Sequence, residues 1–239
     1  MKTGRLSLAD PISSVLVPIH REGYPFIALF AAASLLAFVF LPDIFGWLGV
    51  ILTLWCAYFF RDPPRVTPID EGFVIAPADG VISAIETAAP PPELDLPPGR
   101  VTRISIFMNV FDVHVNRSPV AGRIARMAYV AGKFVNASLD KASADNERQA
   151  LTLEMAGGTR IGVVQIAGLI ARRIVAFATT GDELRAGQRF GLIRFGSRVD
   201  VYLPPGQNAQ AIIGQRTIAG ETILADLTAA RPPLQGSIS

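Results

Sequence analysis

One cysteine, two histidines and three lysines are all that this chain of 239 residues carries of those types. A lone Cys56 excludes an internal disulfide and any zinc site with two or more thiolate ligands. With His20 and His114 as the whole supply, a three-histidine metal centre is excluded as well. Charge is also scarce: charged residues make up 18% of the chain, below the roughly 25% of ordinary soluble domains. The 22 basic and 20 acidic side chains leave a net charge of +2, which gives no case for nucleic acid as a partner. Most of the basic charge comes as 19 arginines, whose planar fork suits phosphate and carboxylate groups. Any catalysis has to be done with few parts.

What the chain has in quantity is apolar surface, and it is unevenly spread. Apolar residues make up 50% of the total, and from Gly23 to Phe60 the one charged residue is Asp43. The runs Phe26–Leu41 and Ile44–Phe60 flank Pro42-Asp43, a turn-forming pair. At 1.5 Å per residue each run makes a helix of ~24–26 Å, slightly short of a ~30 Å hydrocarbon core. A tight transmembrane hairpin and a helix pair embedded in one leaflet both fit. Lys2, Arg5 and Arg21 precede the runs, Arg61 and Arg65 follow them, and the turn has no base, which puts both ends on the cytoplasmic side of a spanning hairpin. The late start and the lack of a small-residue cleavage site argue against a signal peptide. The competing reading, a helical hairpin buried in a soluble core, calls for a polar face that these runs do not have.

After Phe60 the texture changes. Arg61-Asp62-Pro63-Pro64-Arg65 reads as a linker and Pro90–Gly99 as a loop. Short runs rich in Val, Ile and Phe predict strands over Gly72–Ala76, Gly80–Ile85, Val101–Met108, Gly122–Tyr129, Ala150–Met155, Ile161–Ile166, Leu192–Phe195 and Arg198–Leu203. The polar, Ala-rich segment Ala137–Arg148 fits a helix or an ordered loop. The expected class is α+β and β-dominated: a membrane-associated helical hairpin and linker over residues 1–65, then a sandwich or barrel-sandwich domain over 66–239. A weak repeat, Thr180–Gln188 and Ile213–Glu221, has the spaced glycines of tight turns. With Ala76–Val81 it suggests the architecture of lipoyl and biotinyl carriers, but none of Lys2, Lys133 and Lys141 lies at these turns.

Three stretches could carry chemistry. Asp79 lies in Ala76-Pro77-Ala78-Asp79-Gly80, either a functional carboxylate or an Asp-Gly hairpin turn. His114 lies among Asp112, Asn116 and Arg117, either a hydrogen-bonded structural residue or a base. Gly196-Ser197 interrupts a β-like run, either as a bulge or as a reactive bond. A serine hydrolase fits poorly, because no G-x-S-x-G elbow surrounds Ser197. A Gly-Ser peptide offers other chemistry. The hydroxyl can attack the preceding carbonyl, unobstructed by a Cβ, and shift the acyl group from nitrogen to oxygen. β-Elimination of that ester leaves dehydroalanine, which hydrolyses to a pyruvoyl group. His114, oriented by Asp79, is the base such a step needs.

On these residues the chain resembles the short bacterial form of phosphatidylserine decarboxylase, a pyruvoyl-dependent family. The resemblance rests on Ala76–Gly80, Phe111-Asp112-Val113-His114 with Pro119, Gly132-Lys133-Phe134 with Asn136-Ala137, Asp140-Lys141-Ala142-Ser143, Asn146-Glu147-Arg148 and Phe195–Asp200. It implies self-cleavage between Gly196 and Ser197 into a large 1–196 and a small 197–239 subunit, with Ser197 becoming the pyruvoyl cofactor and no metal or pyridoxal phosphate required. Asp79 and His114 match the family's acid and base. Longer members carry a second histidine three residues after the first; here that position is Arg117. The implied reaction is decarboxylation of phosphatidylserine to phosphatidylethanolamine through a Schiff base, at the cytoplasmic side of the cell membrane. Arg117, Lys133, Lys141 and Arg148 are candidate donors to the lipid phosphate, against a reading as ordinary solvated charge. Beyond the membrane and the phospholipid, further copies of the same chain are the only other partner considered. Two alternatives stay open: a membrane-anchored, non-catalytic barrel-sandwich adaptor, and an archaetidylserine decarboxylase with the same headgroup chemistry.

Overall fold

A computed structural model describes residues 17–132, 146–168, 173–194, 197–229, 232–234 and 236. The chain folds as two compact units, 1–64 and 65–239.

In the first unit, helices α1 (Tyr24–Phe40) and α2 (Asp43–Phe59) form an antiparallel pair. Pro25 suits the first turn of α1, and Leu41, held extended before Pro42, ends it. The helices approach closely where small residues face each other. A Cβ on Gly46 would lie 2.3 Å from Phe38, and one on Gly49 would lie 2.7 Å from Ser34. Ser34 Oγ donates to Gly46 O at 2.8 Å, tying the pair with a hydrogen bond that needs no water. The outer surface carries exposed Leu35, Val39, Phe40, Ile44, Trp47, Ile51 and Leu54. Together with the turn before it, Arg21–Phe40 is long and apolar enough to cross a membrane. No polar face of the kind a water-facing helix needs is present on α1.

The second unit is built of β-strands, as the short Val- and Ile-rich runs predict. An all-antiparallel eight-stranded sheet curls into a half-barrel. Its strands, in spatial order, are β12 (Arg216–Thr217), β2 (Gly80–Ala88), β3 (Val101–Met108), β11 (Ser197–Tyr202), β7 (Arg160–Ala167), β6 (Arg148–Glu154), β5 (Gly122–Val130) and β9 (Glu183–Leu184). A three-stranded sheet, β4 (Val115–Arg117), β10 (Arg189–Ile193) and β8 (Ile174–Ala176), and the pair β1 (Phe73–Ile75) with β13 (Ile223–Asp226) complete it. The main core holds Ile82, Ile104, Ile106, Leu153, Val163, Phe190, Val199 and Leu224. A second cluster forms where the proline-rich loop lays Leu94 and Leu96 against Val164, Ile166 and Tyr202. Glu93 pairs with Arg148, and Thr152 donates to the Leu94 carbonyl, fixing that loop.

β11 occupies the middle of the large sheet. All six of its residues pair with β3 on one side and with β7 on the other, and all six are buried. Strand β10 runs Arg189–Ile193 rather than starting at Leu192. Arg148 opens β6 and belongs to no helix or loop, while residues 137–145 of that predicted segment lie outside the described residues.

The weak sequence repeat is a structural one. Gly181 N donates to Ile124 O and Ile124 N to Asp182 O, each at 2.8 Å. In the other copy Gly214 N donates to Ile82 O at 2.8 Å and Ile82 N to Gln215 O at 2.9 Å. Gly187 N reaches Ser118 O, and Gly220 N reaches Ala76 O, both at 2.8 Å. All four glycines adopt positive φ, between +73° and +100°, a region that a Cβ disfavours. The segments 76–82 and 118–124 are thus equivalent halves, and the partner of Asp79 in this symmetry is Ala121. Only one half carries a carboxylate.

Candidate active site

Ser197 is the first residue of β11 and is fully buried. It sits opposite Met108 on β3 and Ala167 on β7, and its Oγ donates to Met108 Sδ at 3.4 Å. Sulfur is a weak acceptor, so the hydroxyl is located without being strongly consumed. The same sulfur takes a contact of 3.8 Å from Asn116 Nδ2. Asn116 Oδ1 in turn accepts from Gln165 Nε2 at 2.7 Å. Gln165 is on β7, two residues from the Ser197 partner Ala167, and shares that face of the sheet. Its Oε1 is buried with no hydrogen-bond partner among the described residues.

His114 closes the turn between β3 and β4. Asp112 Oδ2 accepts from Asn109 N at 2.9 Å, and Asn109 Oδ1 accepts from Phe111 N at 2.8 Å, an Asx arrangement that shapes the turn. His114 is fully buried, with Nδ1 3.0 Å from Asp112 O. A carbonyl only accepts, so this bond places a hydrogen on Nδ1. His114 O accepts from Ile193 N at 3.2 Å, tying the histidine turn to the end of β10, four residues before Ser197.

Asp79 stands at the Pro77–Gly80 corner. Gly80 is required there, because a Cβ would fall 2.2 Å from Phe107 O. Asp79 Oδ2 accepts from Arg65 Nη2 and Oδ1 accepts from Ala219 N, both at 2.7 Å. Burial pushes its carboxyl above the usual range, and the neighbouring Asp112 carboxylate adds to that; the Ala219 N–H and Arg65 pull the other way. Asp112 Oδ1 accepts from Arg216 Nη2 at 2.6 Å. Two carboxylates, each with its own arginine, therefore stand beside the histidine turn.

Of the basic candidates, Arg117 is buried on β4 and donates from Nη1 to Gly187 O at 3.0 Å. Arg148 is paired with Glu93. Lys133, Lys141 and Gly196 lie outside the described residues. Met108, Gln165, Arg65 and Arg216 are site residues with no distinctive local motif. Among the described residues no group of three or more His, Cys, Asp or Glu is arranged to hold a metal ion.

Ser197 and His114 are both fully buried, and the Met108 sulfur lies within contact of both the Ser197 hydroxyl and the Asn116 amide of β4. The profile of the phosphatidylserine decarboxylase family matches residues 52–225. The chain is 61% identical over 212 residues to the phosphatidylserine decarboxylase proenzyme of Ruegeria pomeroyi, covering 89% of this chain and 96% of the relative. It is 54% identical over 228 residues to that of Cereibacter sphaeroides, covering 95% and 98%. The chain belongs to the phosphatidylserine decarboxylase family and is an enzyme of the lyase class. That sets aside the non-catalytic adaptor.

Proposed function

We propose that this enzyme decarboxylates phosphatidylserine to phosphatidylethanolamine after cutting its own chain between Gly196 and Ser197. The observation that carries the reading is Ser197 itself: a buried hydroxyl at the head of a central strand, donating to a thioether sulfur, in a chain whose relatives are named as proenzymes. His114, with Nε2 as its basic nitrogen, takes the serine proton. The Ser197 oxygen attacks the Gly196 carbonyl, and the amide bond becomes an ester. Elimination across the Ser197 Cα–Cβ bond releases the Gly196 carboxylate. Hydrolysis of the resulting dehydroalanine releases ammonia and leaves a pyruvoyl group at residue 197. Asp112, whose backbone carbonyl lies 3.0 Å from His114 Nδ1, orients the ring, and Asp79 is the neighbouring carboxylate.

The residues present fit such a group. Ser197, which would become that group, is fully buried between β3 and β7, away from bulk water. A pyruvoyl group supplies a carbonyl electron sink for a substrate amine, which is what decarboxylation beside an amine needs. His114 then returns a proton to the α-carbon after CO₂ departs. Arg117 is a candidate donor to the lipid phosphate. The hairpin α1–α2, with its exposed apolar surface, supports attachment to the cytoplasmic face of the cell membrane, where such a substrate lies.

Intact-protein mass spectrometry tests the reading. Two chains, 1–196 and 197–239, the smaller with a blocked N-terminus, are expected. A single full-length chain that releases CO₂ from phosphatidylserine overturns it.

A further inference from the structure

The repeat runs further than its turns, through the whole eight-stranded sheet. Strand β2 pairs with β3 with a register shift between Ile82 and Ala84, and β5 pairs with β6 with the same shift between Ile124 and Arg126. Phe107 stands between Val81 and Arg198, and Glu154 stands between Arg123 and Arg160. The two central strands are therefore counterparts, with Arg198 of β11 matching Arg160 of β7 and Ser197 matching the exposed Thr159. Strands β4 and β1 are counterparts too. Arg117 N donates to Pro77 O at 2.9 Å and Ile75 N to Pro119 O at 2.8 Å, the same bond with its roles exchanged. The half without Ser197 thus shows what the fold alone requires at each matched position.

Three buried positions differ in one direction. Asn116 opposes Gly191 where, in the other half, Val74 opposes Ala225. Gln165 lies as far beyond Arg160 as Leu203 lies beyond Arg198, so these two match as well. Val74, Leu203 and Ala225 all belong to the main apolar core. Beside Ser197 the chain instead installs an amide pair and omits a Cβ that would crowd it: one on Gly191 would lie 3.0 Å from Gln165 Nε2.

Stability does not account for the pair. Asn116 Nδ2 donates to Pro77 O at 3.4 Å, which turns the Asn116 oxygen toward Gln165. Gln165 must then present its nitrogen, 2.7 Å away, and its Oε1 becomes the buried atom with no partner. A buried acceptor without a donor destabilises a fold, whereas a matched apolar pair does not. The contacts point to what is gained. Asn116 Nδ2 lies 3.8 Å from Met108 Sδ, the sulfur that accepts from the Ser197 hydroxyl at 3.4 Å. Gln165, Asn116, Met108 and Ser197 form one continuous line from β7 through β4 and β3 to the head of β11.

We propose that Asn116 and Gln165 are positioning residues of the self-cutting step, bracing Met108 and through it the place from which the Ser197 oxygen attacks. The inference rests on the proposed self-cleavage and adds the side chains that aim its nucleophile. A methionine side chain is flexible, so its sulfur holds a hydroxyl in one place only if something holds the sulfur. Attack on a carbonyl is sensitive to such placement, because a small displacement of the reacting oxygen lowers the rate steeply.

The test follows full-length chains made by cell-free synthesis in detergent, with cutting timed on gels and the products weighed by intact mass spectrometry. The double variant Asn116→Val/Gln165→Leu installs the residues of the other half and is expected to cut about tenfold more slowly than wild type. In the uncut Ser197→Ala background the same pair should unfold at an equal or higher denaturant concentration, because both partners of the bond are replaced together. In a Met108→Leu background it should slow cutting by less than about twofold, since residues that act through the sulfur lose their effect once it is gone. A double variant that cuts at the wild-type rate overturns the inference. So does slowing that comes with a lower unfolding midpoint, or the same tenfold slowing in the Met108→Leu background. If the double variant does not fold, Gln165→Met, which keeps side-chain length and removes the amide, takes its place with the same three readouts. A wild-type chain that stays whole overturns the self-cutting reading and this inference together. A wild type that cuts beside an equally fast double variant overturns the inference alone.

Discussion

The hydroxyl of Ser197 rests on the sulfur of Met108, 3.4 Å away, across directly opposed positions of β11 and β3. A methionine in a strand usually signals only packing. Here it sets where the Ser197 oxygen lies, by accepting its hydrogen.

Met108→Leu, which keeps volume, should therefore retain self-cleavage within about tenfold, since the sulfur contributes position more than hydrogen-bond energy. Met108→Ala should lose about 2–5 kcal/mol of stability through the cavity it opens. Time-resolved gels of chain cleavage and denaturant midpoints distinguish the two effects.

Ser197→Ala should give one uncut chain and no CO₂ from phosphatidylserine. His114→Ala should slow cutting by about 10²–10⁴-fold, the usual worth of a general base. Wild-type processing in either variant, read by intact mass, would remove that residue from the proposed chemistry.

Asp79 should titrate above its ordinary value in carboxyl-resolved NMR. Asp112→Asn should lower that midpoint by removing a neighbouring negative charge, and Arg65→Gln should raise it. Burial disfavours the ionised form, so the stability linked to Asp79 is complete below its unfolded pKa. It declines as pH rises through the raised folded value. Opposite signs from the two substitutions would contradict the arrangement.

Arg198 and Asp200 form a buried ion pair on the other face of β11, with Arg198 Nε 2.9 Å from Asp200 Oδ1 and both side chains almost inaccessible. Removing one partner, as in Asp200→Ala, should cost about 3–5 kcal/mol because the remaining charge is stranded. The double variant Arg198→Met/Asp200→Leu should recover most of it. Unfolding midpoints of the purified proteins provide the comparison.

Tyr202, at the end of the same strand, is pushed up to about 12 by burial and by Asp200. Absorbance at alkaline pH should show one of the four tyrosines ionising near there. Stability should fall as pH rises from the ordinary tyrosine value toward it, because only the unfolded chain ionises in that window.

The helices and long strands were readable because their patterns are strong. Val101–Met108 alternates and flanks clear turns, and the hairpin is apolar on every side. The short strands β4, β8, β9, β12 and β13 escaped, since two to four residues make no period. Val115-Asn116-Arg117 has polar side chains at two of three positions, and all three residues are buried in β4. Ser197, His114 and Asp79 stood out as rare chemistry on turn signals. Met108 and Gln165 did not, because their roles depend on which strands become neighbours. Arg216 meets Asp112 across 104 positions of sequence, and no local pattern reports that.

The central place of β11 has a consequence for the order of events in this molecule's life. If the backbone opens just before Ser197, the new chain end is the inner thread of a weave, laced to β3 and β7 along its whole length. Scission then releases nothing; the fragments part only when the sheet itself comes apart. Reassembly from separated pieces would require threading a middle strand between two neighbours that had already closed on each other, and loss of the covalent tether adds an entropic barrier. On the proposed reading the intact precursor is the form able to fold, and the cut would turn a reversible structure into one preserved by its rate of unfolding. A cut enzyme would work for as long as it stays woven, and once undone it would not be expected to return.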